Sequence, residues 1–304
     1  MPFTLSHAAA VLPAVRTDGS GRGRLVPAVL VAGSCAPDLT YYTAGVVPGG
    51  MEFGRFTHSF TGVFTFDVAV AWLLVAGWLL LREPLVALLP RAAQARVGAL
   101  LRCGAPRTRP GPGLALRWYA SAVLGGLTHV VWDAFTHHDG WGTRAFPVLG
   151  REVAGAPVFW LLQYGGSAVA AAVIAAFVVA ALRRTAPAAP AGVPVLSARD
   201  RLRGLAVLGG CAALAAAQRA LRWWVERGGA AKPWELVPTL CFGVGAGLVA
   251  GTVLYAAAVR LRRPAPVPAA PPVPVPSAPP APAEPGAVPA AGRRSRAAER
   301  PGRT

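Results

Sequence analysis

The sequence predicts an all-α, polytopic transmembrane helical bundle with about five full spans, short helices ahead of it and a disordered C-terminal tail. Three observations carry this prediction. Of 304 residues, 54% are hydrophobic and only 14% charged, against about 25% charged in ordinary soluble domains. The apolar residues come in blocks near the ~20 that a helix needs to cross a bilayer core of about 30 Å. The basic residues fall between those blocks and in the tail, the pattern of loops that flank spans.

The first block runs from Phe60 to Leu81 and ends at Arg82. The second, Tyr119 to Phe135, is shorter and carries His129 and Asp133 near its end. The third runs from Val158 to Leu182 and is closed by Arg183 and Arg184. The fourth, Leu205 to Val225, is less apolar because of Gln218, Arg219 and Arg222. The fifth runs from Leu236 to Val259, before Arg260, Arg262 and Arg263. The loops alternate in charge: residues 82–117 hold seven Arg and one acid, 137–157 two Arg and two acids, 183–203 five Arg and one acid. Positive-inside bias puts 82–117, 183–203 and the C-terminus in the cytoplasm, which makes this a multi-pass protein of the cytoplasmic membrane. The first, third and fifth spans then start at the outer face.

Three regions follow: 1–57, short helices and a re-entrant segment; 58–260, the bundle; 261–304, a Pro/Ala/Arg-rich cytoplasmic tail without apolar bulk to pack. In the first region Thr4 or Ser6 is expected to cap a short helix that Pro13 ends. Leu25 to Cys35 is apolar but too short to span, and reads as re-entrant or buried. Arg16, Arg22 and Arg24 pull this region towards the cytoplasm, against the polar residues discussed below, and the sequence does not settle the side. The start lacks a positive segment ahead of an apolar core, so insertion is expected to rest on the spans.

The net charge is +17, but no basic face interleaved with aromatics exists to hold nucleic acid; membrane lipids are the expected partners. The four cysteines are scattered without a CxxC pair and read as small helix residues. There is no GxSxG elbow, phosphate loop or dinucleotide fingerprint. Gln163 and Gln218 read as interhelical hydrogen-bond residues, Gly125-Gly126 and Gly165-Gly166 as close-packing points, and Trp118, Tyr119, Trp141, Trp223 and Trp224 as an interfacial belt. Asp67, inside the first span, either pairs with an Arg such as Arg219 or supports a polar site.

The chemistry lies in the histidines, His7, His58, His129, His137 and His138, each beside Ser, Thr or Asp. Ionisable groups at membrane depth are costly and face the protein interior or a water-filled site. His129 and Asp133 are four residues apart and share one helical face, and His137, a further candidate metal ligand, continues the stripe if the helix persists. An imidazole and a carboxylate so placed suit a divalent metal, zinc first, with manganese or iron as alternatives. By the charge topology His58 opens the first span and His129 to His138 close the second, both at the outer face. His7 and Asp38 join them only if residues 1–57 fold in from that face. A lone interfacial His is more often a hydrogen-bonding residue than a ligand; it is the set that points to a metal. His138 and Asp139 read as loop residues.

The segments Pro2 to Ala9, Gly33 to Asp38, Phe56-Thr57-His58-Ser59 and His129 to Asp133 with Thr136-His137 resemble a bacterial membrane family labelled domain of unknown function 4184, over residues 1 to about 260. More distantly, the order His, Asp, His, HxxxD resembles the membrane-bound metal-dependent hydrolases and the helical zinc-dependent phospholipases C. That resemblance implies His7, Asp38, His58, His129 and Asp133 as ligands, with Asp38 or Asp133 bridging ions or orienting water. The second HxxxE or HxxxD pair of the phospholipases is missing here, which leaves one or two ions. The expectation is a hydrolase of a lipid-like phosphoester at the outer face; the alternatives are a scaffold, a small-solute or ion transporter, or an anchor for a functional basic tail.

Overall fold

The computed structural model describes residues 3–102, 111–189, 191–228 and 236–262. From residue 263 on, the expected tail lies outside the described residues, as do Cys103 and most of the 226–235 loop. In chain order the helices are α1 (Ala8–Val11, between 3-10 turns Thr4–His7 and Leu12–Ala14), α2 (Pro27–Cys35, leading into a 3-10 turn Ala36–Asp38), α3 (Leu39–Thr43), α4 (Gly50–Thr57), α5 (Phe60–Phe64), α6 (Phe66–Leu88), α7 (Arg91–Leu100), α8 (Pro112–Thr136) and α9 (Trp141–Ala145). After a two-residue antiparallel hairpin, β1 (Glu152–Val153) with β2 (Ala156–Pro157), come α10 (Val158–Arg184), α11 (Ala198–Arg227) and α12 (Leu236–Arg262).

Helices α6, α10, α11 and α12 are long and apolar enough to cross a membrane, so the chain is a multi-pass membrane protein. The expected second span lies inside α8, whose 25 residues reach about 37 Å at 1.5 Å per residue. α8 falls short of the other four in apolarity because much of it faces protein: Ser121, Gly125, Gly126, His129 and Asp133 are buried in the bundle. Contacts at the helix ends still give α8 a place in an alternating series. At one end Gln163 near the start of α10 meets His137 after α8, and Arg219 late in α11 bonds the Tyr41 carbonyl. There too, Phe242 early in α12 packs on Tyr41 and Tyr42. At the opposite end, rich in arginine, Arg117 of α8 bonds the Arg24 carbonyl, Arg184 of α10 bonds Thr17 and Arg201 of α11 bonds the Leu89 carbonyl.

The first span differs from expectation at both ends. Its backbone breaks at Thr65 (φ −126°, ψ −86°), separating α5 from α6, and α6 runs past Arg82 to Leu88. Arg82 is tolerated inside because its Nε pairs with Glu83 at 3.0 Å and its Nη1 donates to the Leu101 carbonyl. Pro84 has no N–H, which leaves the Leu80 carbonyl without its helical donor. Arg260 of α12 donates to that carbonyl, and the Tyr255 hydroxyl donates to the Pro84 carbonyl at 2.8 Å. The helix flaw thus becomes the anchor between α6 and α12.

The N-terminal region forms two short antiparallel limbs. One limb, residues 4–14, runs from the polar end to a turn where Val15 bridges Gly21; the other, α2, returns. Arg16, Arg22 and Arg24 therefore sit at the arginine-rich end while His7 and Asp38 sit at the other, which removes the conflict read from the sequence. Thr4 caps no helix, because its hydroxyl donates to Asp38 Oδ2 at 2.6 Å.

Small residues set the closest crossings. A Cβ on Gly33 would stand 2.4 Å from the Ala122 carbonyl oxygen, and one on Gly125 2.3 Å from that of Leu30, so α2 and α8 touch backbone to backbone. Gly243, Gly247 and Gly251 do the same for α12 on α11. Gly126 and Gly166 also abut neighbours, Val63 and Trp132, whereas Gly165 faces open space. Gly125→Ala is expected to cost about 1–3 kcal/mol of stability by overpacking, and Gly165→Ala to be neutral; thermal unfolding of both variants in one detergent checks this.

Candidate metal centre

The α2–α8 crossing decides where His129 points. With Gly33 and Gly125 in contact, His129 lies beside the end of α2 and its Nδ1 is 2.7 Å from the Ser34 carbonyl oxygen. A carbonyl can only accept, so Nδ1 carries the proton and the Nε2 lone pair points away from α2. Four residues past Ser34, the 3-10 turn delivers Asp38. The Thr57 hydroxyl donates to the Pro37 carbonyl at 2.7 Å, which fastens the end of α4 to that turn. The next residue, His58, sits in the break between α4 and α5. Its Nδ1 is 2.8 Å from the Gly54 carbonyl oxygen, so its Nε2 is likewise turned inward.

Four ligand atoms meet as a result. His58 Nε2 lies 3.4 Å from Asp38 Oδ1 and 3.7 Å from Asp133 Oδ2. His129 Nε2 lies 3.5 Å and 3.4 Å from the same two oxygens. The two Nε2 atoms are 3.2 Å apart. Asp38, His58, His129 and Asp133 form a group whose ligand atoms all lie within 4.8 Å of one another. His129 is fully buried, Asp38 and Asp133 nearly so, and the His58 side chain keeps 20% of its surface.

The donor set fits a divalent ion. Four lone-pair-bearing atoms, two of them on carboxylates, converge, and the outer atoms of His129, His58 and Asp38 are already hydrogen-bonded, a setting that favours a positive charge among the four. A tetrahedral zinc with bonds of about 2.0–2.1 Å holds its ligand atoms about 3.3–3.4 Å apart, close to the spacing found. In metal-free protein one protonated imidazole can supply part of this charge, its Nε2–H facing the other Nε2 at 3.2 Å; a divalent ion would supply all of it. Access fits as well: His58, Asp133 and His137 line a cavity of about 330 Å³, together with Tyr41, Arg55 and Arg144.

The other two expected ligands stand beside this group. His7 stacks on His129 with ring centroids 3.6 Å apart. Its Nε2 is 3.4 Å from Asp133 Oδ1, the oxygen turned away from the four-atom group, and among the described residues neither ring nitrogen has a hydrogen-bond partner. α8 ends at Thr136, so His137 follows in extended conformation (φ −121°, ψ 146°) and does not continue the helical stripe. Its Nδ1 approaches the Asp133 carbonyl at 3.2 Å and Oδ2 at 3.6 Å, and its Nε2 meets Gln163 Nε2 at 3.1 Å. The Thr143 hydroxyl donates to the His137 carbonyl and holds this turn. Asp67 does not pair with Arg219; it is buried, and among the described residues both its oxygens lack hydrogen-bond partners.

The electrostatics follow from burial and proximity. Burial opposes the charge on Asp38, but His129 and His58 hold its carboxyl well below the usual range. Burial works to lower the pKa of His58, yet hydrogen bonds to Asp133 and Asp38 outweigh it and raise the ring from 6.5 to about 9. Burial, with His129 adding to it, pushes His7 well below 6.5 and leaves its lone pair available. Sequence reasoning missed Thr4 and Thr57, which orient Asp38 and its turn, and the cavity arginines Arg55 and Arg144. The only signal for Thr57 was the recurrence of hydroxyl residues beside histidines, and Thr4, three residues before His7, had none.

Residues 1–257 match the family described as Domain of unknown function (DUF4184), and the chain belongs to that family. Neither the curated proteins nor the solved structures contain a match to it.

A pH dependence follows from His58. Its folded pKa is raised from 6.5 to about 9, so in metal-free protein its ion pairs stabilise fully below about 6.5 and fade as pH rises through about 9. Chelator-treated protein is expected to lose thermal stability across that window. Zinc-loaded protein, whose ligands need no proton, is expected to keep it. Melting curves with and without zinc at the two ends of the window decide; parallel pH dependence contradicts the assignment.

Proposed function

We propose that this protein is a membrane-embedded, metal-dependent hydrolase of an amphiphilic phosphoester, working at the outer face of the cytoplasmic membrane. One observation carries the reading: two carboxylates and two imidazole lone pairs converge on one point at the wall of an open cavity. A structural ion is normally closed off by its ligands, whereas a catalytic one keeps a side open. The orientation rests on charge. The end opposite the site carries Arg82, Arg117, Arg183, Arg184, Arg201 and Arg260, which favours a cytoplasmic position for that end and for the C-terminus of α12.

A divalent ion here would polarise a phosphoryl or acyl oxygen and make water acidic enough to ionise near neutral pH. Asp38, held by Thr4, offers one oxygen, Oδ1, as a ligand. Asp133 has both oxygens at the site, one among the four ligand atoms and one facing His7. It is the residue suited to bridge a second ion that His7 would help hold, or to take a proton from attacking water. His137, within reach of Asp133 and bonded to Gln163, is suited to hold or pass that proton rather than bind metal. Arg55 and Arg144 line the cavity mouth and suit an anionic substrate group; Trp141 on the same wall suits its apolar part.

The transport alternative is disfavoured by the clustering of these His and Asp residues at one end of the bundle, where a pathway would need polar groups along its length. The tail alternative concerns residues outside those described.

The test is elemental analysis of detergent-purified protein, followed by a phosphoester screen. Wild type is expected to hold about one zinc or more per chain, and Asp133→Asn and His129→Ala to fall below about a tenth of that. Activity should fall with the metal. Zinc-free wild type after metal is added back, or full metal content in both variants, contradicts the proposal.

A further inference from the structure

A cavity of about 760 Å³ opens next to the metal centre. Helix α4 lines both cavities, Tyr41 of the metal-centre cavity accepts a bond at its carbonyl from Arg219 of this one, and Gln163 lines this one while bonding His137 of the other. We infer that this cavity binds the phosphate of a membrane-lipid head group. The site stands apart from the proposed chemistry and does not depend on it.

The inference rests on arginines in an unusual place. Arg219 and Arg222, three residues apart on α11, line the cavity. Each has one nitrogen fixed by a backbone carbonyl: Arg219 Nη1 donates to Tyr41 at 2.6 Å and Arg222 Nη1 to Gly45 at 2.8 Å. The Arg219 guanidinium also lies over the Phe242 ring, 5.6 Å from its centroid. A guanidinium has five N–H donors in a fixed fork that matches phosphate, and these bonds orient the fork while using little of it. Among the described residues Arg219 has no acidic partner, whereas Arg222 Nη2 is 3.6 Å from Glu226.

Depth and side add to this. Arg219 lies two turns inside the end of a membrane-spanning helix, about 12 Å along it. A cation at that depth faces a partner or a water-filled cavity. It also lies at the end of the bundle opposite the arginine-rich one, so positive-inside bias gives no reason for it. Trp160, Tyr164 and Trp223 share the lining and suit the level where head groups meet acyl chains. Glu52 and Glu226 at the same cavity limit its net charge. That argues against a general anion trap and admits head groups with an ammonium beside the phosphate.

The experiment is native mass spectrometry of the detergent-purified full chain, titrated with phosphatidylglycerol and, separately, phosphatidylethanolamine. Wild type is expected to retain one lipid, and an Arg219→Gln, Arg222→Gln double variant to bind it at least about tenfold more weakly. Because Arg219 and Arg222 each bond a backbone carbonyl in or just after α3, Arg222→Gln alone, which keeps the tie made by Arg219, is the second variant; a smaller loss of lipid is expected there, with unchanged zinc content. Equal lipid retention in wild type and both variants overturns the inference. Complete displacement by millimolar inorganic phosphate overturns the lipid assignment and makes this a free-phosphate site. Wild type that keeps lipid but holds no zinc sinks the hydrolase proposal and leaves this site standing.

Discussion

Two carboxylates and two imidazole lone pairs confront one another inside a helical bundle, and that confrontation constrains everything around it. An uncompensated buried ion costs several kcal/mol even after relaxation, so positive charge, on a bound cation or on a protonated imidazole, stabilises the arrangement. The surroundings do nothing to relieve it. Ser34 and Gly54 carbonyls take the outer N–H of each imidazole, which forces both lone pairs inward. Thr4 takes the outer oxygen of Asp38. Every one of these bonds sharpens the need for positive charge, which is how outer partners prepare a metal site.

The membrane architecture serves the same end. Asp38 and His129 are 91 positions apart in sequence, and only the glycine-to-glycine contact of α2 with α8 brings their helices close enough. The two antiparallel N-terminal limbs supply His7 and Asp38 from inside the bundle while leaving Arg16, Arg22 and Arg24 at the opposite, arginine-rich end. No full span is needed for this, since α2, at nine residues, rises only about 14 Å. At that far end, Pro84 frees a carbonyl and Arg260 satisfies it, so a helix interruption is used to pin α12.

The bundle was legible because lipid imposes one-dimensional rules: blocks of apolar residues, arginine at their ends, alternation of the loops. Those rules found α6, α10, α11 and α12. They described α8 less well, because a helix buried by protein rather than lipid can carry serine, glycine and histidine. Arg82 was read as a span end, and the reason it is not, a pairing with Glu83, is local but ambiguous in a sequence. The site was partly legible. His129 and Asp133 share a face by helical period alone, and His58 joins them by charge topology. His7 and Asp38 needed a family resemblance, since no periodicity foretells the two antiparallel limbs. Arg55, Arg144 and Thr57 were beyond reach: their roles depend on a cavity and a tertiary hydrogen bond that no local pattern encodes.

The centre joins a family of unknown function to a definite chemical claim: two imidazoles and two carboxylates are placed to bind one ion beside an open cavity, and Asp133 can reach further. X-ray absorption at the zinc edge of zinc-loaded, detergent-purified protein tests this most directly. The account predicts about four nitrogen or oxygen neighbours at about 2.0–2.1 Å, with the outer-shell scattering of two imidazole rings. A shell of oxygens alone, without imidazole scattering, would contradict it.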